Sequence, residues 1–225
     1  MMRMFLVVVV LMTAGDMLFA ADYRVEIIKD ELPTEDLATK IAEQISPEGL
    51  RVVRGEKRTV CEIWPLKNWD VVPDFESTNE RLYPFEPGQL IGVLRFRRRG
   101  SDFRGQQISR GVYTMRFGMQ PVDGNHEGTS PTRDFLLLVR AEDDASVKPM
   151  AVDKLMESSA NAADSNHPAM LCLQRLSDKK EVKAPGMRHD ADRDWWMLRF
   201  ANNAKTGEKR LSLPMELVVE GHAEE

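Results

Sequence analysis

An alternation of apolar and polar residues near the end of the chain limits the fold most narrowly. From Leu211 to Val219 every second residue is leucine, methionine or valine, and the first of these are separated by Ser212, Pro214 and Glu216. A period of two places side chains on the same face of a β-strand. Because proline has no N–H to donate, we expect Pro214 to lie at a sheet edge or at a bulge.

Further apolar runs predict a protein built mainly from strands. Between Gly111 and Met119, aromatic and methionine side chains alternate with Thr114 and Arg116, which predicts one strand face on a core and one face in water. Other strands are predicted at 23–28, 50–54, 59–64, 90–96 and 135–139. The stretch 67–88 is rich in proline, and we expect an irregular connection there with at most a short edge strand.

Two short helices are predicted between the strands. Leu37, Ile41 and Ile45 recur every four residues within 34–45, and a similar apolar stripe lies within 150–160. Parallel sheets need a crossover helix for each pair of strands, and this chain has too few helices for that architecture. We therefore predict a mainly β protein, an antiparallel two-sheet sandwich or jelly-roll-like fold with one or two short helices.

The first twenty residues have the pattern of a signal peptide. Arg3 precedes the apolar run 5–12, and Ala20 offers a small residue for cleavage before Ala21. Asp16 would be costly inside a bilayer, which favours cleavage over retention as a membrane anchor. We expect residues 1–20 to be removed and residues 21–225 to form a single β-sandwich-like domain. The protein would then be exported, periplasmic or secreted, without a stable membrane span.

The charge of the chain favours partners other than nucleic acid. It has 31 basic and 36 acidic residues, a net charge of −5, which argues against nucleic acid or an anionic membrane as the main partner. The turn at 100–102 is nevertheless surrounded by six arginines: Arg95, Arg97, Arg98, Arg99, Arg104 and Arg110. They would either bind a sulfated, phosphorylated or uronic polymer or protect an exposed hairpin edge from strand pairing, and we favour the second interpretation.

The two cysteines of the chain allow two interpretations. Cys61 and Cys172 both lie inside apolar runs. In an oxidising compartment they could form a disulfide, which would constrain the unfolded chain. They could equally be buried thiols that pack as small apolar residues. A catalytic thiol is disfavoured, because no histidine or basic residue adjoins either cysteine to lower its pKa.

The loop 123–134 (DGNHEGTSPTRD) is the segment richest in possible metal ligands. Counted from its first residue, the loop places Asp123, Asn125, Glu127 and Asp134 at positions where a calcium loop supplies oxygen ligands. The match is imperfect, since strands and not helices are predicted on either side. The alternative is a long polar hairpin loop without an ion, with its turn at 123–124.

Histidines and tryptophans supply the remaining candidate ligand-binding residues. His126 and His167 lie in predicted loops and could hold a transition metal that activates water, although their spacing matches no metal motif. Trp195 and Trp196 are adjacent, so within a strand they point to opposite faces and only one can join a given core. The other could stack on a sugar or a partner, or pack on a second apolar face.

Several segments together resemble an uncharacterised group of exported bacterial proteins that has no known activity. They are TVCEIW at 59–64, YPFEPG at 83–88, GVYT at 111–114, QPVDGNH at 120–126 and DFLLL at 134–138. The resemblance would cover most of the chain after residue 20. It implies export and a shared fold, and it implies no catalytic residue, ligand or cofactor.

No catalytic motif decides the function. The sequence has no nucleophile elbow, phosphate-binding glycine loop, CxxC pair or dinucleotide fingerprint, which weakens an enzymatic interpretation. We expect an exported protein that binds an envelope or extracellular ligand or partner. One alternative is a metal-assisted hydrolase built from Asp123, His126, Asp134 and His167. The other is a structural envelope protein. The cofactor is not identified by the sequence, and calcium is the candidate that the 123–134 loop suggests.

Overall fold

A computed structural model of the protein describes residues 22–120, 132–176 and 184–223. About 47% of it is strand, which confirms the mainly β prediction. The strands are β1 (Tyr23–Lys29), β2 (Glu48–Arg54), β3 (Arg58–Pro65), β4 (Trp69–Asp70), β5 (Leu90–Phe96), β6 (Gly100–Ser101), β7 (Gln107–Ile108), β8 (Gly111–Met119), β9 (Asp134–Arg140), β10 (Met170–Gln174), β11 (Gly186–Asp190), β12 (Trp195–Thr206) and β13 (Lys209–Glu220). The helices are α1 (Thr39–Ala42) and α2 (Val152–Ala162), with 3-10 turns at Thr34–Asp36 and Ala141–Asp143.

One large sheet contains most of these strands, in the order β1-β2-β3-β5-β8-β9-β10-β13-β12-β11. The sheet curls, because Tyr23 of β1 stacks on Trp196 of β12 with ring centroids 4.4 Å apart, although these strands lie near opposite ends of the order. β4 pairs with β12 in parallel, and β6 and β7 form a separate ribbon. The predicted two-sheet sandwich is not confirmed. The prediction of a purely antiparallel sheet is wrong because of the β4–β12 pair.

Successive side chains of β9 point to opposite faces of the sheet and belong to two different layers of the core. Leu136 and Leu138 join the largest hydrophobic cluster, which draws side chains from strands along the whole sheet. Phe135 and Leu137 point to the opposite face, where they meet Leu155 of α2 in a second cluster. Both faces of this strand are therefore buried, as its unbroken apolar sequence indicates.

The first helix, predicted at 34–45, is in the structure a connection that contains a 3-10 turn and the four-residue helix α1. Leu37, Ile41 and Ile45 are all buried and pack beside Trp64, so the apolar stripe is confirmed. The backbone between them is not one helix, since Leu37 has an extended conformation between the 3-10 turn and α1. The second helix, predicted at 150–160, is confirmed as α2 two residues later.

Polar residues of β8 are buried, against the expectation that they face water. Thr114 and Arg116 are covered by the segment that follows β9, which carries the buried carboxylate of Asp144. The Arg116 guanidinium donates to both Asp144 oxygens, at 2.7 and 2.8 Å, and also to the Gly88 carbonyl at 2.7 Å. Thr114 Oγ1 donates to the same carboxylate at 2.6 Å. The alternation of β8 identified its two faces correctly but could not reveal this covering segment.

Cys61 and Cys172 are both buried, and the structure has no disulfide between them. Cys61 belongs to the largest cluster and Cys172 to the second one, on strands that are separated in the sheet by β5, β8 and β9. Of the two interpretations, the structure supports two cysteines that pack as small apolar residues. Burial raises the pKa of the Cys61 thiol, and the nearby Glu62 and Glu220 carboxylates raise it further.

Candidate ligand-binding cleft

The predicted calcium residues are not assembled within the described residues. Asp123, Asn125, His126 and Glu127 lie outside them. Asp134, at the start of β9, is buried and accepts hydrogen bonds from the backbone N–H groups of Leu82 and Tyr83 at 3.0 and 3.1 Å. Burial raises the pKa of Asp134, and these two amides oppose the shift. Its carboxylate thus connects β9 to the 82–83 backbone.

Another predicted ligand residue, His167, lies beside a small pocket. His167 is exposed at the mouth of a small apolar pocket of about 80 Å³, which is walled by Phe103, Phe135 and Met156. Residues 22–120, 132–176 and 184–223 contain no group of three or more His, Cys, Asp or Glu side chains that could hold a metal ion.

Within those same ranges, no helix is long and apolar enough to cross a lipid bilayer.

The paired tryptophans pack on other side chains. Trp195 is buried and donates its indole N–H to the His222 carbonyl at 2.9 Å. Trp196 is half-buried and stacks on Tyr23 and on His189, with ring centroids 4.4 and 4.3 Å apart. Burial and the nearby Glu220 carboxylate raise the pKa of Tyr23 to about 12, so its ring remains neutral in this stack. These contacts use the stacking surface that a sugar would need.

A larger cleft lies between the irregular segment that follows β4 and the hairpin of β12 and β13. Its volume is about 570 Å³, within the range of known small-molecule sites. Six apolar side chains form much of its walls: Val71, Val72, Phe75, Leu82, Leu211 and Leu213. Except for Leu82, all of them are only half-buried. The cleft therefore holds apolar surface that the fold itself leaves partly exposed.

Buried hydrogen bonds fix the wall that carries Leu82 and Tyr83. Beside the two amides held by Asp134, the Tyr83 hydroxyl donates to the Gln174 carbonyl at 2.8 Å. It also accepts from the Glu216 N–H at 2.9 Å. Burial raises the pKa of this hydroxyl above its ordinary value, so it stays protonated and keeps donating. The wall is thereby tied to β9, β10 and β13.

Short backbone contacts hold the opposite end of the same segment. β4 pairs with β12 at Ala204 and Lys205, and the Val71 N–H donates to the Lys205 carbonyl at 2.9 Å. Trp69 donates its indole N–H to the Ile91 carbonyl at 2.8 Å and is fully buried. Both ends of the segment are therefore attached to the sheet, and this arrangement preforms the cleft.

The wall formed by the β12–β13 hairpin borders the cleft because the first part of β13 extends beyond the end of β10. In the described part of the chain, β10 pairs with β13 at Leu217 and Glu216, and the preceding part of β13 pairs with β12. Pro214 lies in this part, opposite Ala201 of β12. Among the described residues, β12 is the one strand paired with β13 at Pro214, which agrees with the expectation of a sheet edge or a bulge.

Charged and polar groups surround the apolar walls. Arg175, Lys209 and Asp74 line the cleft, and all three are exposed. Arg175 Nη2 donates to the Thr78 carbonyl at 2.9 Å and to Asn79 Oδ1 at 3.0 Å, which holds the guanidinium at the cleft. Two cations against one carboxylate give this rim an excess of positive charge.

Sequence reasoning missed Phe75, Arg175 and Leu213 as residues of a site. Leu213 was expected on a strand, but its alternation with polar residues is the same for a core and for a cleft wall. Phe75 and Arg175 belong to irregular segments whose partners are distant in sequence.

Comparison of the chain with protein-family models, with curated proteins and with solved structures found no match.

Proposed function

We propose that this chain is an exported binding protein and that its cleft holds an amphipathic anion. The observation that carries the proposal is the pairing of half-buried apolar walls with a cationic rim at Arg175 and Lys209. An apolar ligand segment would cover Phe75, Leu211 and Leu213. Each methylene group that it buries would contribute about 0.8 kcal/mol to binding.

The attachments of the cleft wall support a preformed site. Asp134 and the Tyr83 hydroxyl hold the wall through four hydrogen bonds to three backbone N–H groups and one carbonyl. A wall that is fixed before the ligand arrives loses little conformational entropy on binding. The anionic end of the ligand would pair with the Arg175 guanidinium, whose planar group suits a carboxylate.

Binding of dodecanoate tests the cleft. By isothermal titration calorimetry, below the concentrations at which micelles form, we expect saturable binding at one site. Dodecyltrimethylammonium has the same chain and the opposite charge, and it should bind at least about tenfold more weakly. A protein without saturable dodecanoate binding would favour a structural envelope role instead.

Variants locate the dodecanoate site. Leu213→Asp removes apolar wall and adds a negative charge, so it should weaken dodecanoate binding by at least about tenfold. Ile27→Asp, at an exposed position of β1 that does not line the cleft, is the matched control and should bind like the parent. Arg175→Gln should weaken dodecanoate binding and should not weaken binding of the cationic probe. Equal loss in Leu213→Asp and Ile27→Asp, with unchanged melting curves, would place binding elsewhere.

Export rests on the first twenty residues and has its own test. The protein recovered from the periplasm or the culture medium should begin at Ala21, as read by N-terminal sequencing. A recovered protein that still begins at Met1, or one found only in the membrane fraction, would contradict cleavage and support retention of the segment as an anchor.

A further inference from the structure

A second groove, separate from the cleft, lies beside the β6–β7 ribbon. It has a volume of about 490 Å³ and runs along the start of β3, the ribbon and the end of β13. Arg58, Arg98 and Arg99 line it, and all three are exposed. Arg58 comes from a different hairpin than the other two, so the fold adds a cation that the six-arginine segment of the sequence did not contain.

The arginines of that sequence segment have different roles in the structure. Arg95 and Arg97 donate to the buried Glu62 carboxylate, with their Nε atoms 2.6 and 2.9 Å from its oxygens. Within the described part of the chain, Arg58, Arg98 and Arg99 form no ion pair. Arg99 Nη1 donates to the Gln107 side-chain carbonyl at 2.9 Å, a neutral partner. These guanidinium groups are therefore free to pair with an anion.

Little negative charge opposes them locally. The one carboxylate that lines the groove belongs to Glu220, and it pairs with Arg54 at 3.4 Å. Among the described residues, the groove thus combines three cations that form no ion pair with one carboxylate that pairs with Arg54, on a chain whose net charge is −5. The positive potential of the groove attracts anions to it, whereas the negative net charge repels them from the rest of the surface.

We propose that this groove binds an anionic polysaccharide through its sulfate or uronic carboxylate groups. Guanidinium groups bind both kinds of oxyanion with two parallel hydrogen bonds. Ser101 and Gln107, both exposed in the groove, supply hydrogen-bonding side chains for sugar hydroxyls. Nucleic acid fits less well, because Phe96 is buried and the groove therefore presents no exposed aromatic ring on which bases could stack.

Binding of dextran sulfate tests the proposal, with polygalacturonate as the carboxylate probe and uncharged dextran as the negative control. In about 0.15 M NaCl, where long-range attraction is screened, the parent should bind at least one of the two charged polymers and should not bind dextran. Single-stranded DNA of mixed sequence should bind more weakly than that polymer, because the groove offers no exposed ring for its bases. Inorganic sulfate and free galacturonate should compete only at high concentration, because single groups lack the gain from multiple attachment.

Charge-matched variants separate a specific groove from general attraction. Arg98→Ala/Arg99→Ala should weaken polymer binding by at least about tenfold. Lys154→Ala/Arg210→Ala removes the same charge from α2 and from the other end of β13, and it should change binding by less than about twofold. Retained dodecanoate binding would show that the Arg98/Arg99 variant is folded. If the parent does not bind dodecanoate, a urea unfolding curve like that of the parent shows that the variant is folded. Equal losses in the two double variants, or DNA binding as strong as polymer binding, would overturn the proposal.

Discussion

Replacing Asp144 with alanine should lower the free energy of unfolding by about 3 to 5 kcal/mol, because it leaves a buried guanidinium without its counter-ion. Arg116 and Asp144 are both almost completely buried, and Thr114 donates to the same carboxylate. The variant should shift the midpoint of urea unfolding, followed by tryptophan fluorescence, without a change in its slope. A stability within about 1 kcal/mol of the parent would contradict this account.

Two comparison variants separate the buried charge from general damage. Asp70→Ala removes an exposed pair with Lys205, whose side chains are 80% and 50% exposed, and should cost less than about 1 kcal/mol. The double variant Arg116→Met/Asp144→Ala removes both charges, so it should recover part of the loss seen in Asp144→Ala alone. If the double variant is less stable than Asp144→Ala, the Arg116 hydrogen bonds to backbone carbonyls are the larger contribution.

Replacing Glu62 with glutamine should lower the free energy of unfolding at neutral pH by about 2 to 4 kcal/mol, because three arginines lose a shared counter-ion. The Glu62 carboxylate is fully buried and accepts from the Nε groups of Arg51, Arg95 and Arg97. Glu31, at 39% side-chain exposure, also pairs with these arginines and would compensate only in part. Urea unfolding at pH 7 measures the loss.

The same variant should show a defined pH dependence. Burial acts to raise the pKa of Glu62, but the hydrogen bonds from Arg95, Arg51 and Arg97 outweigh it and hold this pKa below its usual range. A lowered pKa in the folded state gives stability that is complete above the unfolded value of about 4.3. This stability is lost as the pH falls through the folded value, because the unfolded state then binds more protons. The difference between parent and Glu62→Gln should therefore shrink below about pH 4.

Glu48→Gln is the matched control for the pH series. Glu48 pairs with Lys29 at 3.4 Å, and both side chains are more than half exposed, so this variant should stay within about 1 kcal/mol of the parent. A difference between parent and Glu62→Gln that stays constant down to pH 2 would show that shape, and not charge, explains the loss.

Much of the strand pattern could be predicted from the sequence, because burial on one face leaves a period of two. The runs 90–96 and 111–119 match β5 and β8 at both ends. The polar face of β8 was interpreted wrongly, since Arg116 and Asp144 are far apart in sequence and no local pattern indicates that they pair. Cys61 and Cys172 illustrate the same limit: their apolar surroundings predict burial, whereas only the fold decides whether they meet.

The candidate sites were less accessible to sequence reasoning than the fold. Asp134 was selected for its carboxylate, which the structure uses to hold backbone amides. Phe75 and Leu213 were not selected, because an exposed apolar side chain becomes informative only when its neighbours in space are known. Arg98 and Arg99 were noted, but the separation of unpaired from paired arginines needed the position of Glu62.

The parallel pairing of β4 with β12 has a consequence for the stage of synthesis at which the cleft can form. One wall of the cleft comes from the first half of the chain, near Val71, and the other comes from the last long hairpin, near Leu213. A partly synthesised chain that lacks this hairpin contains the first wall without the second. Contacts between distant segments also form late in folding, because closing a long loop costs entropy. The cleft is therefore complete only after the hairpin of β12 and β13 has been synthesised and has packed against the segment that follows β4.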